Sequence, residues 1–255
     1  MKNLNLSQLK HIEILKQKVF EVNIYPSFNI LINELPIILD SFDKKGKNIA
    51  ILERTKLYET SLFGGLFQQS NVISFDCSPE SAKERGAYNQ DMVDHEGFIN
   101  FQKIEFIDQS TSFQLPKDKF DLVFIPNLVH HFKHQKILYD QCYESLKSNG
   151  SIIIFEPTFR EIHQAPNDYI RYTPYGMEQV LKESKFHSFK CKEYGDAYDA
   201  LVYILNIMNS KRNDEVFEQW FKDMKSSIQK IEKQKIDIVK KNARFTTSFI
   251  AHSKK

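Results

Sequence analysis

From Phe120 onward the apolar positions change period, and the change lays out two strands with a helix between them. Residues 120–125 (FDLVFI) form a short, nearly continuous apolar run. It is too short for a helix and suits a strand covered on both faces. Pro126-Asn127 ends it. From His134 the apolar residues fall at Ile137, Leu138, Cys142 and Leu146, the spacing of an amphipathic helix. Asn149-Gly150 is the expected left-handed stop for that helix. Residues 151–155 (SIIIF) read as a second buried strand, closed by Glu156-Pro157. Two buried strands joined by one helix predict a right-handed parallel crossover. Open parallel sheets bind ligands beyond the carboxyl ends of their strands. Asn127, His130, His131 and Glu156 are therefore directed towards a candidate site.

The same reading extends along the chain. Ser7 is placed to cap a helix with apolar positions at Leu9, Ile12, Leu15, Val19 and Val22, and a second helix is expected over 28–39. Gly46 marks a turn before a first strand at 48–52. A second strand spans 72–75 and ends at Asp76; a third is expected over 101–107 and a sixth over 185–194. Residues 196–242 read as helical and charged, with Phe217, Trp220, Phe221, Met224, Ile228, Ile231 and Ile238 on one stripe. That stripe suits a surface helix packed on the core; a lid or a dimer helix is the other use. Residues 244–251 (RFTTSFIA) give a last strand, antiparallel beside the sixth. The expected organisation is one domain. Residues 1–44 form a helical extension, 45–195 the core, 196–242 a helical insertion and 243–255 the final strand.

Composition narrows the function classes. The net charge is +2, from 35 basic and 33 acidic side chains, so no nucleic-acid or membrane partner is expected. Cys77, Cys142 and Cys191 are widely spaced with no CxxC, which favours reduced thiols and a cytoplasmic address. The first 20 residues have no uninterrupted apolar core and do not read as a signal peptide. No apolar run approaches the ~20 residues of a membrane span.

The segment FDLVFIPNLVHHF, its helix, and LKSNGSIIIFEP resemble the fourth-to-fifth-strand unit of class I S-adenosylmethionine-dependent methyltransferases. A second block, running from His163 through Pro166, Asp168, Tyr169, Arg171, Tyr172 and Thr173 to Gly176, is similar to the type 11-like methyltransferases. Many of those act in bacterial cell-surface glycan pathways. The likeness covers roughly residues 45–252. It implies an α/β, doubly wound, Rossmann-like methyltransferase sheet of seven strands with the last antiparallel, and S-adenosylmethionine as cofactor. It also implies a methyltransferase acting on a small-molecule, sugar-linked acceptor in polysaccharide biosynthesis.

Onto this frame the candidate residues fall as follows. The first strand of such a fold normally leads into a glycine-rich turn, where backbone approaches the cofactor closely. Here the turn reads Glu53-Arg54-Thr55-Lys56-Leu57-Tyr58; the acid is present and the glycines are not, the next pair being Gly64-Gly65. Arg54 and Lys56 either grip an anion, on the cofactor or the substrate, or form a solvated turn. Asp76 lies 23 positions beyond Glu53, where a carboxylate can accept from a ribose diol or cap the next helix. Asp108 follows the third strand, where the resemblance implies an acid or amide holding the adenine amino group, or else forms a turn, and Asn127 lies at the cofactor side of the fourth strand. His130 and His131 are the candidate catalytic bases, since imidazole titrates near neutrality, or else they cap or pack the following helix; the resemblance favours His131. His130 and His134 could share a helix face, but no carboxylate accompanies them at metal-ligand spacing, so no metal is expected. Arg160, Tyr169, Arg171 and Tyr172 can stack on a sugar ring and hold an anionic group, or form a structural corner with Asp168 paired to Arg171. The expected reaction is O-methylation of a sugar nucleotide or phosphosugar. The alternative, carried by the glycine-poor turn, is a methyltransferase-like scaffold without catalysis.

Overall fold

The computed structural model describes residues 46–53, 70–76, 101–106, 114–162, 165–210, 215–233 and 245–255. The two expected N-terminal helices, Arg54, Lys56, Gly64-Gly65, Asp108 and His163 lie outside the described residues. One seven-stranded sheet runs through the molecule. Its strands are β1 (Asn48–Glu53), β2 (Asn71–Asp76), β3 (Phe101–Phe106), β4 (Phe120–Pro126), β5 (Leu146–Pro157), β6 (His187–Tyr194) and β7 (Ser248–Lys254). Their spatial order is β3-β2-β1-β4-β5-β7-β6. The first five pair in parallel, and β7 is antiparallel to both β5 and β6. This is the doubly wound sheet with one antiparallel strand that the sequence predicted.

The core follows from the apolar runs. Val123, Phe124 and Ile125 on β4 and Ile152, Ile153, Ile154 and Phe155 on β5 are all fully buried. Consecutive buried residues require a cover on both faces of the sheet. One cover is α1 (Gln135–Ser145), which buries Leu138, Tyr139 and Cys142. Ile137, expected on the buried stripe, is 41% exposed, and Tyr139 takes the inner position instead. The helix α2 (Pro174–Glu183) adds Met177 and Leu181.

Three boundaries differ from expectation. First, α1 stops at Ser145, four residues before the Asn149-Gly150 stop. Leu146 is extended, fully buried and paired with Phe120, so its side chain serves the sheet. Asn149 does take a positive φ of 66°, but inside β5, where the β4–β5 register shifts. Gly150 is needed there because an added Cβ would lie 2.9 Å from the Lys147 carbonyl oxygen. Second, the late helical stretch is two helices packed on each other, α3 (Ala197–Ser210) and α4 (Glu215–Lys233). On α4, Ile228 is buried while Trp220, Met224 and Ile231 are 43%, 38% and 39% exposed. Third, the last strand begins at Ser248 and inserts between β5 and β6. The residue before it, Thr247, is occupied in accepting from Thr158 N and Phe159 N across the end of β5. Among the described residues no helix is long and apolar enough to cross a membrane.

Candidate active site

The strand order reverses between β1 and β4: β2 and β3 lie to one side of β1, and β4 and β5 to the other. Ligand crevices of doubly wound sheets open at such a switch point, outside the carboxyl strand ends. In register, Glu53 stands opposite Asp76 at the last pair of β1 and β2. Pro126 at the end of β4 stands opposite Phe155, and Asn127 and Glu156 are the next residues on each side. The ends of four parallel strands thus bring Glu53, Asp76, Asn127 and Glu156 to one edge of the sheet.

The turn after β4 is built locally. Proline ends the strand because it has no N–H to give. Asn127 follows with φ 53°, a left-handed conformation that asparagine tolerates better than most residues. Its own N–H donates to Phe155 O at 2.8 Å. The residue is 7% exposed, and its Oδ1 is buried with no hydrogen-bond partner. A buried amide oxygen without a donor is uncommon and costly, and so marks a place where a ligand donor fits. Leu128 is fully buried, and Val129–His131 forms a 3-10 turn. Gln135 Nε2 donates to Val129 O at 2.8 Å and to Phe132 O at 2.6 Å, which ties that turn to the first residue of α1.

Glu156 holds the turn from the other side. Glu156 is buried; its carboxyl group accepts from Val129 N, and its Oε2 lies 2.7 Å from His130 Nδ1. Burial pushes the Glu156 carboxyl up to about 8, against the pull of the Val129 N–H, Arg171, the Leu128 N–H and Arg160. His131 Nδ1 hydrogen-bonds Asn167 O, and Tyr169 N donates to His130 O at 2.8 Å. A carbonyl only accepts, so His131 Nδ1 carries the hydrogen, and the basic nitrogen of the neutral ring is Nε2. The two imidazole rings lie 4.1 Å apart, centroid to centroid. His130 and His131 are both buried, whereas His134 is exposed and only flanks α1. Among the described residues no group of three or more His, Cys, Asp or Glu is arranged to hold a metal.

The loop after β5 carries the remaining candidates. Arg171 forks onto Asp168: Nη1 bonds Oδ1, and Nη2 bonds Oδ2 at 2.8 Å, with the Asp168 side chain 2% exposed. Nη2 also donates to Glu161 O at 3.1 Å. The guanidinium is therefore committed to the loop's own structure. The Arg160 side chain is 12% exposed, with its Nε 4.0 Å from Glu161 Oε2. Tyr169 is 45% exposed and its hydroxyl donates to Asn167 Oδ1 at 2.9 Å. Tyr172 is half-buried; burial, then Glu156 and Glu183, push its hydroxyl up to about 12, so it stays protonated. Reading the sequence alone misses Asn167, whose backbone oxygen orients His131, and the Tyr203–Glu161 hydrogen bond that docks α3 on this loop. Neither carries a sequence signal, since a backbone carbonyl and a tyrosine 42 residues from its partner form no motif.

Residues 58–152, just over a third of the chain and within the stretch that carries the sequence resemblance, match the family described as a methyltransferase domain. No curated protein matches the sequence. Among solved structures, the chain is similar to phosphoethanolamine N-methyltransferase 2 of Haemonchus contortus in complex with S-adenosyl-L-methionine. The identity is 14%, with 88% of this chain and 52% of that one covered and a TM-score of 0.52. The chain thus spans about half the length of that enzyme. A SAM-dependent methyltransferase from Archaeoglobus fulgidus is 16% identical over 95% of this chain and 99% of that one, with a TM-score of 0.51. The [4+2]-cyclase SpnF aligns equally well, at 12% identity over 88% and 80% of the two chains and a TM-score of 0.52. At these identities the structural likeness establishes the fold. The chain therefore has the Rossmann-like methyltransferase fold, and the stretch from 58 to 152 is similar to the methyltransferase-domain family.

Proposed function

We propose that this protein transfers a methyl group from S-adenosylmethionine to an oxygen of a small anionic acceptor, of the sugar-nucleotide or phosphosugar class. The observation that carries the reading is the switch-point edge, where Glu53, Asp76 and Asn127 meet at adjoining strand ends and Asn127 brings a buried acceptor oxygen with no partner. The residues present fit the cofactor. Asp76 would accept from the ribose hydroxyls, with Glu53 beside it, and Asp108 would face the adenine. The Asn127 amide oxygen would accept from the ammonium of the methionine moiety. S-adenosylmethionine, when bound, supplies a methyl group already activated on a sulfonium sulfur. The chain's own work is then positioning, exclusion of water and removal of a proton.

Of the two histidines, His130 is taken by Glu156, so the base is His131, whose Nε2 would receive the acceptor's proton. Arg160, with Arg54 and Lys56, would hold the acceptor's anionic group, and Tyr169 and Tyr172 would flank its ring. Arg171 contributes by shaping the loop through Asp168. A structural neighbour from Haemonchus contortus is solved with phosphomonomethylethanolamine, a small phosphorylated molecule of the same charge class. Polysaccharide assembly in the cytoplasm is the setting this acceptor suggests.

The test is a calorimetric titration with S-adenosylhomocysteine. It is followed by a screen of sugar nucleotides, phosphosugars and phosphoethanolamine with labelled donor. Binding in the micromolar range is expected, and Asp76→Ala should weaken it by about 1–3 kcal/mol. On any acceptor found, His131→Ala should cost roughly 10²–10⁴-fold in kcat with binding kept. A second reading, a non-catalytic binding subunit, is favoured by the glycine-free sequence from Glu53 to Tyr58. No binding and no shift in Tm at millimolar S-adenosylhomocysteine would install it. A neutral lipid or a protein side chain as the acceptor would overturn the anionic-acceptor proposal.

A further inference from the structure

The carboxyl end of β5 carries a buried acid that the proposed chemistry does not consume. Glu156 is 2% exposed and His130 is 1% exposed. Their contact at 2.7 Å joins residues 26 apart in sequence, on the ends of neighbouring parallel strands. The other carboxyl oxygen accepts from Val129 N, so one side chain grips both the backbone and the imidazole of the same 3-10 turn. The next residue of that turn is His131. Its partner Asn167 belongs to the loop that β5 leads into, and Tyr169 N closes the same two segments through His130 O. Asn127, whose amide oxygen is unpartnered, sits just before the turn and is tied to β5 through Phe155 O. The two strand-end segments are therefore stitched together, and the Glu156 carboxyl group is at the centre of the stitch.

We infer that Glu156 is a positioning residue: with His130 it clamps the turn after β4 onto the end of β5, and so fixes the ring orientation and tautomer of His131. Its catalytic consequence rests on the methyltransferase reading above; its structural consequence does not. Free imidazole favours hydrogen on Nε2, so a histidine held as the Nδ1–H tautomer needs an acceptor kept in place, here the Asn167 carbonyl. If the turn shifts relative to the loop, that acceptor is lost and the basic nitrogen exchanges position. A displacement of about 1 Å at a group remote from the reacting atoms can cost on the order of 10²-fold in rate.

Two near-isosteric variants test this, Glu156→Gln and His130→Gln, each confirmed folded by circular dichroism. The first readout needs no substrate: ¹⁵N-resolved imidazole spectra of the full chain. Wild type should show His131 as the Nδ1–H tautomer, and both variants should show a mixture with Nε2–H. The second readout is kinetic, on whichever acceptor the screen identifies. Here kcat should fall about 10²-fold in both variants while the KM for the donor stays within a few fold. A merely structural acid would lower Tm and move neither the tautomer nor the kcat-to-KM split. An unchanged His131 tautomer in a folded variant overturns the clamp, whatever the protein's activity. If no donor binds wild type, the functional reading fails while the spectra still decide the clamp. If Glu156→Gln does not fold, the same two readouts on His130→Gln settle the matter.

Discussion

Glu156 has a consequence for stability that can be measured without any ligand. Burial raises its carboxyl from 4.5 to about 8. The folded chain therefore keeps a proton that the unfolded chain releases. A group of this kind stabilises the fold fully below its unfolded pKa and loses that contribution as pH rises through the folded value. The window here runs from about pH 4.5 to about pH 8. The groups acting on the carboxyl are His130 and the Val129 amide on the β4 side, and Arg160, Arg171 and Tyr172 on the loop after β5. Tyr139 approaches from α1. The expected outcome is a wild-type Tm that falls across that window and a Glu156→Gln Tm that is flatter over it. The difference in slope should correspond to no more than a few kcal/mol. Parallel curves for the two proteins would mean that Glu156 is ionised throughout.

At the scale of one element, α3 shows how much local sequence can specify. Asp196 Oδ1 accepts from Tyr198 N at 2.8 Å and from Asp199 N at 3.2 Å. Asp199 Oδ2 accepts in return from Asp196 N at 2.9 Å. This is a reciprocal capping box with aspartate in both positions, and it satisfies donors that the first turn leaves open. Gly195 precedes it with φ 77°, and an added Cβ there would fall 1.9 Å from Thr247 Oγ1. The chain thus turns sharply off β6 and starts the helix in two residues. Asp196→Ala should cost about 1 kcal/mol and raise amide exchange in the first turn of α3. Because Tyr203 of the same helix reaches Glu161, the exchange should also rise in the loop after β5. Exchange confined to α3 would show that the helix and the loop are not coupled. The cap lies within four residues of sequence, so a helix from Asp196 onward is legible locally; the glycine is required by Thr247 as well, a contact no local pattern records. The far end expected for that stretch, at residue 242, lies outside the described residues, the second helix being described as far as Lys233.

Across the whole molecule the decisive strand is β7. It comes last in the chain yet lies between β5 and β6, and it buries Phe249 and Ala251 fully. Without it β5 has no partner on that side and β6 has none among the strands of the sheet. Removal of residues 248–255 should therefore leave a chain that does not reach the native sheet. It should lack a cooperative thermal transition and expose apolar surface to a dye such as ANS. A truncated chain with a cooperative transition within a few degrees of wild type would show that the first five strands fold alone. The placement of β7 also means that the sheet closes on contacts distant in sequence, the slow class of folding event.

Apolar runs bounded by Pro, Asn and Gly located the strands, because a strand buried on both faces must be apolar at nearly every position. The spacing of Glu53 and Asp76 placed two acids at neighbouring strand ends, because parallel strands of equal length bring their last residues side by side. His130, His131, Asn127 and Glu156 were legible as site candidates for the same reason. The pairing among them was not. A sequence does not say whether an acid at the end of β5 meets a ligand or a histidine, and here it meets His130. Nor does it say whether Arg171 is available or already forked onto Asp168. Leu146 has the spacing of a helix end but starts a strand, because Phe120 pairs with it in the sheet and Lys255 Nζ donates to its carbonyl oxygen, contacts that no local pattern records. Which strand lies beside which follows from the order in which the chain crosses the sheet. Which side chain spends its hydrogen bonds on a neighbour follows from distances that exist only once the sheet has formed.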